Sequence, residues 1–234
     1  MKKWLSLFHQ LAHSSSISSK ADVINEFHIS QTHLVSVSMM TNKDIEEWHA
    51  EHRPHVSDDE AGGWNWNFIL YAAQMSDLFF QDPRTYAFRL NGVLVGMLLV
   101  ARKYPAELTD GRTINDFVWY VEKTPLFSKM LKRLECPSFS LLRLAFEVVR
   151  QESHENPPWS LWLHADSKGG HGLIKTYSRL GLVPFKFKLY GLKDRYTCRR
   201  WNLFSSSDQS PYMHMKDGAL DENAQTVKER YGTI

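Results

Sequence analysis

Three groups of side chains in this sequence could do chemistry. The first is His49-x-x-His52-x-x-His55, in a chain where seven of the eleven histidines precede residue 60. A spacing of three puts His49 and His52 on one helical face, which invites a metal reading, but Pro54 ends that helix before His55. No cysteine lies nearby, and Glu51 does not complete a His-Glu-x-x-His zinc motif. Surface histidines and no metal are therefore expected. The second is an acidic and aromatic stretch, Asp58-Asp59-Glu60 followed by Trp64-x-Trp66. Its tryptophans serve either as core anchors or as a binding platform. The third runs from Lys175 to Arg200, where eight basic residues stand against the single acid Asp194. Such a run is a solvated basic face or a surface that attracts a polyphosphate or an acidic partner.

Composition bounds the answer. A chain of 234 residues, 43% hydrophobic and 13% aromatic, suits one domain with extensions and can bury a sizeable core. Its formal charge of +2 is too small to point to nucleic acid or a membrane. Cys136 and Cys198 form no disulfide framework and lack metal spacing, so a reducing, cytoplasmic setting is expected. No apolar run approaches a membrane span. The start, Met1 to His13, imitates a signal peptide only faintly, because His9 and Gln10 break its apolar stretch and no small-residue cleavage site follows. The Ser-rich leader gives weak support to non-classical export.

The elements that must position these groups follow from periodicity. Residues 1–32 are polar and Ser-rich and read as a poorly ordered leader. A strand follows over 33–39, then a helix from Asp44 to Arg53, announced by Thr41 and stopped by Pro54. A second helix covers about 64–80, with Trp66, Ile69, Leu70 and Ala73 at helical spacing. Runs 84–90 and 93–101 flank Asn91-Gly92, a pair suited to the positive φ angles of a two-residue hairpin turn. Strand 114–121, amphipathic helix 139–153, strand 160–164, a short helix carrying Tyr177 and stopped by Gly181, a new strand and a last strand over 195–204 complete the order. Residues 205–234 open on Ser-Ser-Ser-Asp-Gln-Ser-Pro and read as a flexible tail, with at most one short helix near 223–230.

The order β, α, α, β, β, β, α, β, α, β, β over 33–204 resembles the Gcn5-related N-acetyltransferases. So does Trp159-Ser-Leu-Trp-Leu-His-Ala165 with Gly169-Gly-His-Gly-Leu-Ile-Lys-Thr-Tyr177 and the Leu180-Gly181 stop. The resemblance implies an α/β fold with a mixed central sheet of about seven strands, helices on both faces, and a cleft where strands near 118 and 161 splay apart. It also implies direct transfer of an acetyl group from acetyl-coenzyme A to an amine of a protein, peptide or small molecule. Tyr177 matches the position from which family members protonate the departing thiolate. Asp116 or Glu122, on or at the end of the fourth strand of the family, would be the base. Val118, Trp119, Tyr120 and Val121 would offer backbone groups to pantetheine. Glu60, Trp64 and Trp66 would meet the acceptor. The pyrophosphate loop of the family, Arg/Gln-x-x-Gly-x-Gly/Ala, falls on Arg133 to Ser138, before Phe139. Arg133 matches its first position, but Cys136 and Ser138 replace the glycines, and Pro137 removes an N–H donor. That departure leaves open a non-catalytic member of the fold that only binds coenzyme A or a partner. A third alternative is an interaction protein that uses its basic 175–200 face.

Overall fold

A computed structural model describes residues 23–30, 32–56, 64–74, 82–104, 114–125, 127, 130–131, 140–153, 159–165, 170–185, 212–215 and 218–232. One eight-stranded sheet organises them: β1 Val23–Ser30, β2 His33–Met39, β3 Pro83–Leu90, β4 Val93–Tyr104, β5 Ile114–Lys123, β6 Trp159–His164, β7 Leu182–Phe185 and β8 Tyr212–Met215. The strand order is β1-β2-β3-β4-β5-β6-β8-β7. All neighbours are antiparallel except β5 and β6, which run parallel. A parallel neighbour needs a crossover, and helix α3, Leu141–Glu152, supplies it.

Helices cover both faces. On one lie α1, Asn42–Glu47, and α2, Trp66–Gln74. Trp48, Trp66, Ile69 and Leu70 pack there against Leu94, Met97 and Leu99 of β4. On the other lie α3, α4 Gly170–Arg179 and α5 Ala219–Tyr231, with Leu144, Tyr177 and Val227 against Tyr86, Phe88 and Val118. β3 shows how one strand serves both cores. Tyr86 and Phe88 face α3 while Ala87 between them faces α2, the alternation a pleated strand imposes.

Local signals place several elements as expected. Asn91 and Gly92 take φ +48° and +87°, and Leu90 faces Val93 across the hairpin. Thr41 starts α1, its backbone N–H donating to Asp44 Oδ2 at 2.7 Å and its hydroxyl to the same atom at 2.8 Å. Gly181, at φ +93°, ends α4. A side chain there would also collide with Ala219 at the start of α5.

Elsewhere the structure departs from the sequence reading. Val23–Ser30, placed in the leader, pairs with β2 and buries Phe27 completely. The expected helix over 44–53 is α1, a π-helical turn Trp48–His52 and a 3-10 turn Arg53–His55. Residues 212–231, read as tail, supply β8 between β6 and β7 and then α5, whose Asn223, Val227 and Tyr231 are buried. The strand expected over 195–204 lies outside the described residues. No helix among those residues is long and apolar enough to cross a membrane.

Candidate functional site

The site is built on the far end of β5. This strand pairs with β6 from Ile114–Trp159 to Val118–Leu163 and then continues to Lys123, while β6 ends at His164. Along its other edge it stays paired to β4, with two irregularities, and the one nearer the site lies where Leu99 faces Tyr120 and Val100 faces Val118. Trp119 is thus the extra residue of a β-bulge, which re-aims the side chains that follow. Simple alternation would separate Trp119 from Tyr120. Instead both pack toward the α2 side, whereas Val118 and Val121 face α3.

This re-aiming decides which carboxylate meets which helix. Glu122, 7% exposed, lies under α2, where the Trp66 indole N–H donates to its Oε2 at 2.6 Å. That is a charge-assisted bond and fixes the carboxylate. Trp64, half-buried, packs on Tyr120 with ring centroids 4.7 Å apart, and Trp66 meets the same ring edge-on at 6.5 Å. Phe117 and Trp119 contact at 4.8 Å. Asp116, 3% exposed, pairs with Leu161 in the closed part of the sheet. Its field acts instead on Tyr86, whose hydroxyl is pushed well above its ordinary range, first by burial and then by Glu152. Six residues of strand put the two carboxylates roughly 20 Å apart. The structure therefore brings Glu122, Trp64, Trp66, Trp119 and Tyr120 together and leaves Asp116 out.

Tyr177 is buried on the opposite, α3-side face, 6% exposed, one turn before the Leu180 N–H donates to its carbonyl at 2.9 Å. The start of α3 is brought against the end of β5 by Gly96. This residue faces Lys123, and a methyl group on it would strike Leu141 and approach the Glu122 carbonyl to 3.1 Å. Ser140 caps α3, its Oγ accepting from the Arg143 N–H at 3.4 Å, and its own N–H donates to the Tyr231 hydroxyl at 3.2 Å. Arg143 and the buried Asn223 bond reciprocally at 3.1 Å. Burial and the neighbouring Arg230 hold the Arg143 guanidinium below its usual range, so an anion placed beside these two cations would be stabilised. Arg133, Cys136, Ser138, Phe139 and Glu60 lie outside the described residues.

Sequence reasoning did not find the Trp66–Glu122 bond, because partners 56 positions apart leave no local signal. It also expected surface histidines. His49 and His55 are exposed, but His52 is fully buried.

No family model and no curated protein matches the chain. Among solved structures, it is similar to an uncharacterized protein from Bacillus halodurans, at 14% identity and TM-score 0.51, over 90% of this chain and 98% of that one. A spermidine N-acetyltransferase from Vibrio cholerae, solved with CoA and spermine, has 12% identity and TM-score 0.46 over 80% and 97% of the chains. An N-acetyltransferase from Staphylococcus aureus Mu50 has 12% identity and TM-score 0.44 over 78% and 97%. With its element order and its mixed sheet, the chain has a fold of the Gcn5-related N-acetyltransferase type; the expected splay near 118 and 161 is not seen at those positions, where Asp116 pairs with Leu161 and Val118 with Leu163.

Proposed function

We propose that this protein is an acyl-coenzyme A-dependent N-acetyltransferase that passes an acetyl group directly to an amine. The observation that carries the reading is the end of β5: a bulged strand running past its parallel neighbour and ending on a buried, clamped carboxylate. The strand edge from Trp119 to Val121, beyond the last β6 pair, suits the amides of pantetheine. The helix start at Ser140, with Arg143 and Arg230 beside it, suits the phosphates, and Arg133, Cys136, Ser138 and Phe139 would lead into it.

In this reading the acceptor enters from the α2 side, past Glu60 and Trp64. Glu122 takes the proton of its ammonium form. The freed nitrogen attacks the thioester carbonyl, the carbon–sulfur bond breaks, Tyr177 gives its proton to the departing thiolate from the other face of the sheet, and the extra proton left on the new amide nitrogen passes to solvent, which reprotonates Tyr177. Trp66, first read as an acceptor contact, is better assigned to holding Glu122. Asp116 has no part in the transfer. Two cysteines without a disulfide framework favour a reducing, cytoplasmic setting.

Calorimetry with acetyl-coenzyme A, followed by thiol release across a panel of primary amines, tests the reading. Saturable binding with amine-dependent thiol release is expected, and absence of affinity for the co-substrate would overturn it. Cys136 and Ser138 in place of glycines, with Pro137 removing an N–H donor between them, favour a second reading, a member of the fold that binds coenzyme A without turnover. Affinity with no thiol release for any amine would identify it. An interaction protein using its 175–200 face would instead show steep salt dependence toward an acidic polymer and no coenzyme A affinity.

A further inference from the structure

The π-helical turn at Trp48–His52 gathers three side chains that an α-helix would fan apart. Its wider winding stacks positions five apart, so His52 comes over Glu47, with Glu51 beside it. One ligand atom from each lies within 4.8 Å of the other two. His52 is completely buried, and neither of its ring nitrogens has a hydrogen-bond partner. A buried polar group left in that state is destabilising, so a fold that keeps one calls for an occupant.

The surroundings are those of a ligand set. Glu47 is held from behind, its Oε1 accepting the Leu94 N–H at 3.0 Å and its Oε2 paired with Arg89 at 2.6 Å. Bonds of this kind orient a metal ligand. Arg89 is itself anchored on Asp44 at 2.6 Å, so it does not depend on Glu47 alone. Glu51 is exposed and forms the mouth.

We propose that Glu47, Glu51 and His52 form a binding site for a divalent metal ion of the zinc type. One imidazole nitrogen and two carboxylates are a borderline set that suits zinc better than calcium or magnesium, which prefer oxygen alone. Ligands on a tetrahedral ion at about 2.1 Å stand roughly 3.4 Å from one another. The set therefore closes by about an ångström, which the exposed Glu51 side chain can supply. The ion would pin the π-helical turn under α2, and the site stands independently of the acetyl-transfer reading. Its competitor is a buried water. The Trp48 indole N–H also has no partner, and its ring lies 5.9 Å from that of His52, so one water could join the two.

The test uses the full chain, stripped with a chelator and titrated with zinc and separately with cobalt(II), read by calorimetry, melting temperature and cobalt absorption. One ion per chain, a saturable rise in melting temperature and cobalt d–d bands are expected. Glu51→Gln, which changes an exposed residue and keeps the fold, should weaken binding by at least about tenfold, the low end for perturbing a metal site. His52→Gln should abolish it. The double variant His49→Ala/His55→Ala should bind as the parent does. Absence of saturable binding would assign the pocket to water and overturn the proposal. So would a Glu51→Gln protein that binds normally, or loss of binding in the double variant, which would mark chelation by surface histidines.

Discussion

Glu122 and Asp116 differ by six positions on one strand, and the fold gives them different surroundings. The bulge at Trp119 turns Glu122 toward α2 and Trp66, while Asp116 stays in the closed sheet beside Tyr86. If Glu122 is the base, Glu122→Gln should lower turnover about 10²–10⁴-fold, whereas Asp116→Asn should change melting temperature and leave turnover near the parent value. Equal losses of turnover in the two variants would contradict the assignment. Tyr177→Phe keeps ring packing and removes only the hydroxyl. Coenzyme A affinity and stability should hold while turnover falls by a similar factor. A stable, fully active Phe variant would leave solvent as the acid. At this scale the sequence supplied residue types and spacing, and so named both carboxylates. It could not choose between them, because a one-residue bulge reverses which face a side chain takes and leaves no mark in composition.

Elements were legible where their signals are local. Asn91-Gly92 dictates its own backbone, Thr41 with Asp44 writes a helix start, and Gly181 a helix stop. β8 and α5 were not legible for a physical reason. The buried residues of α5 are Ala219, Asn223, Val227 and Tyr231, a stripe one residue wide at a spacing of four, with an asparagine in it. So narrow a stripe reads as a polar helix. β8 has only four residues and follows a Ser-rich segment that reads as tail. The contact between α3 and the sheet gives a prediction for an element. Gly96→Ala places a methyl against Leu141 and the Glu122 backbone, and overpacking of this kind costs about 1–3 kcal/mol. Denaturant melts should show that loss. Because the displaced helix start is the proposed phosphate site, coenzyme A affinity should fall with it.

At the scale of the whole molecule, stability at high pH follows from Tyr86. Tyr86 is 1% exposed, and its folded pKa is raised, first by burial and then by Glu152. The unfolded chain releases that proton at about pH 10. The neutral hydroxyl thus favours the folded state below pH 10, and this contribution is lost as pH climbs toward the folded value. Melting temperature should decline above pH 10, and Tyr86→Phe should flatten the decline. An identical alkaline slope in the variant would show that other groups cause it. A chain ending at residue 211 lacks β8 and α5, and with them Met213, Val227 and Tyr231 from the core. It should give a broad, weakly cooperative thermal transition. A sharp melt at the parent temperature would show that the remaining strands form a core without them.

The position of β8 has a consequence for how the molecule is made. Its two neighbours, β6 and β7, are complete by residue 185, and β8 begins at residue 212. Until it arrives, the facing edges of β6 and β7 carry unpaired backbone groups, and an open edge invites pairing with another chain. Ribosomes add about 5–20 residues per second, so the gap stands open for one to several seconds in every nascent copy. α5 then closes against both α3 and β1, joining the last described element to the first. Vectorial synthesis therefore leaves this sheet incomplete until residues 212–215 have been made, so crowding among nascent chains bears on the yield of folded molecules.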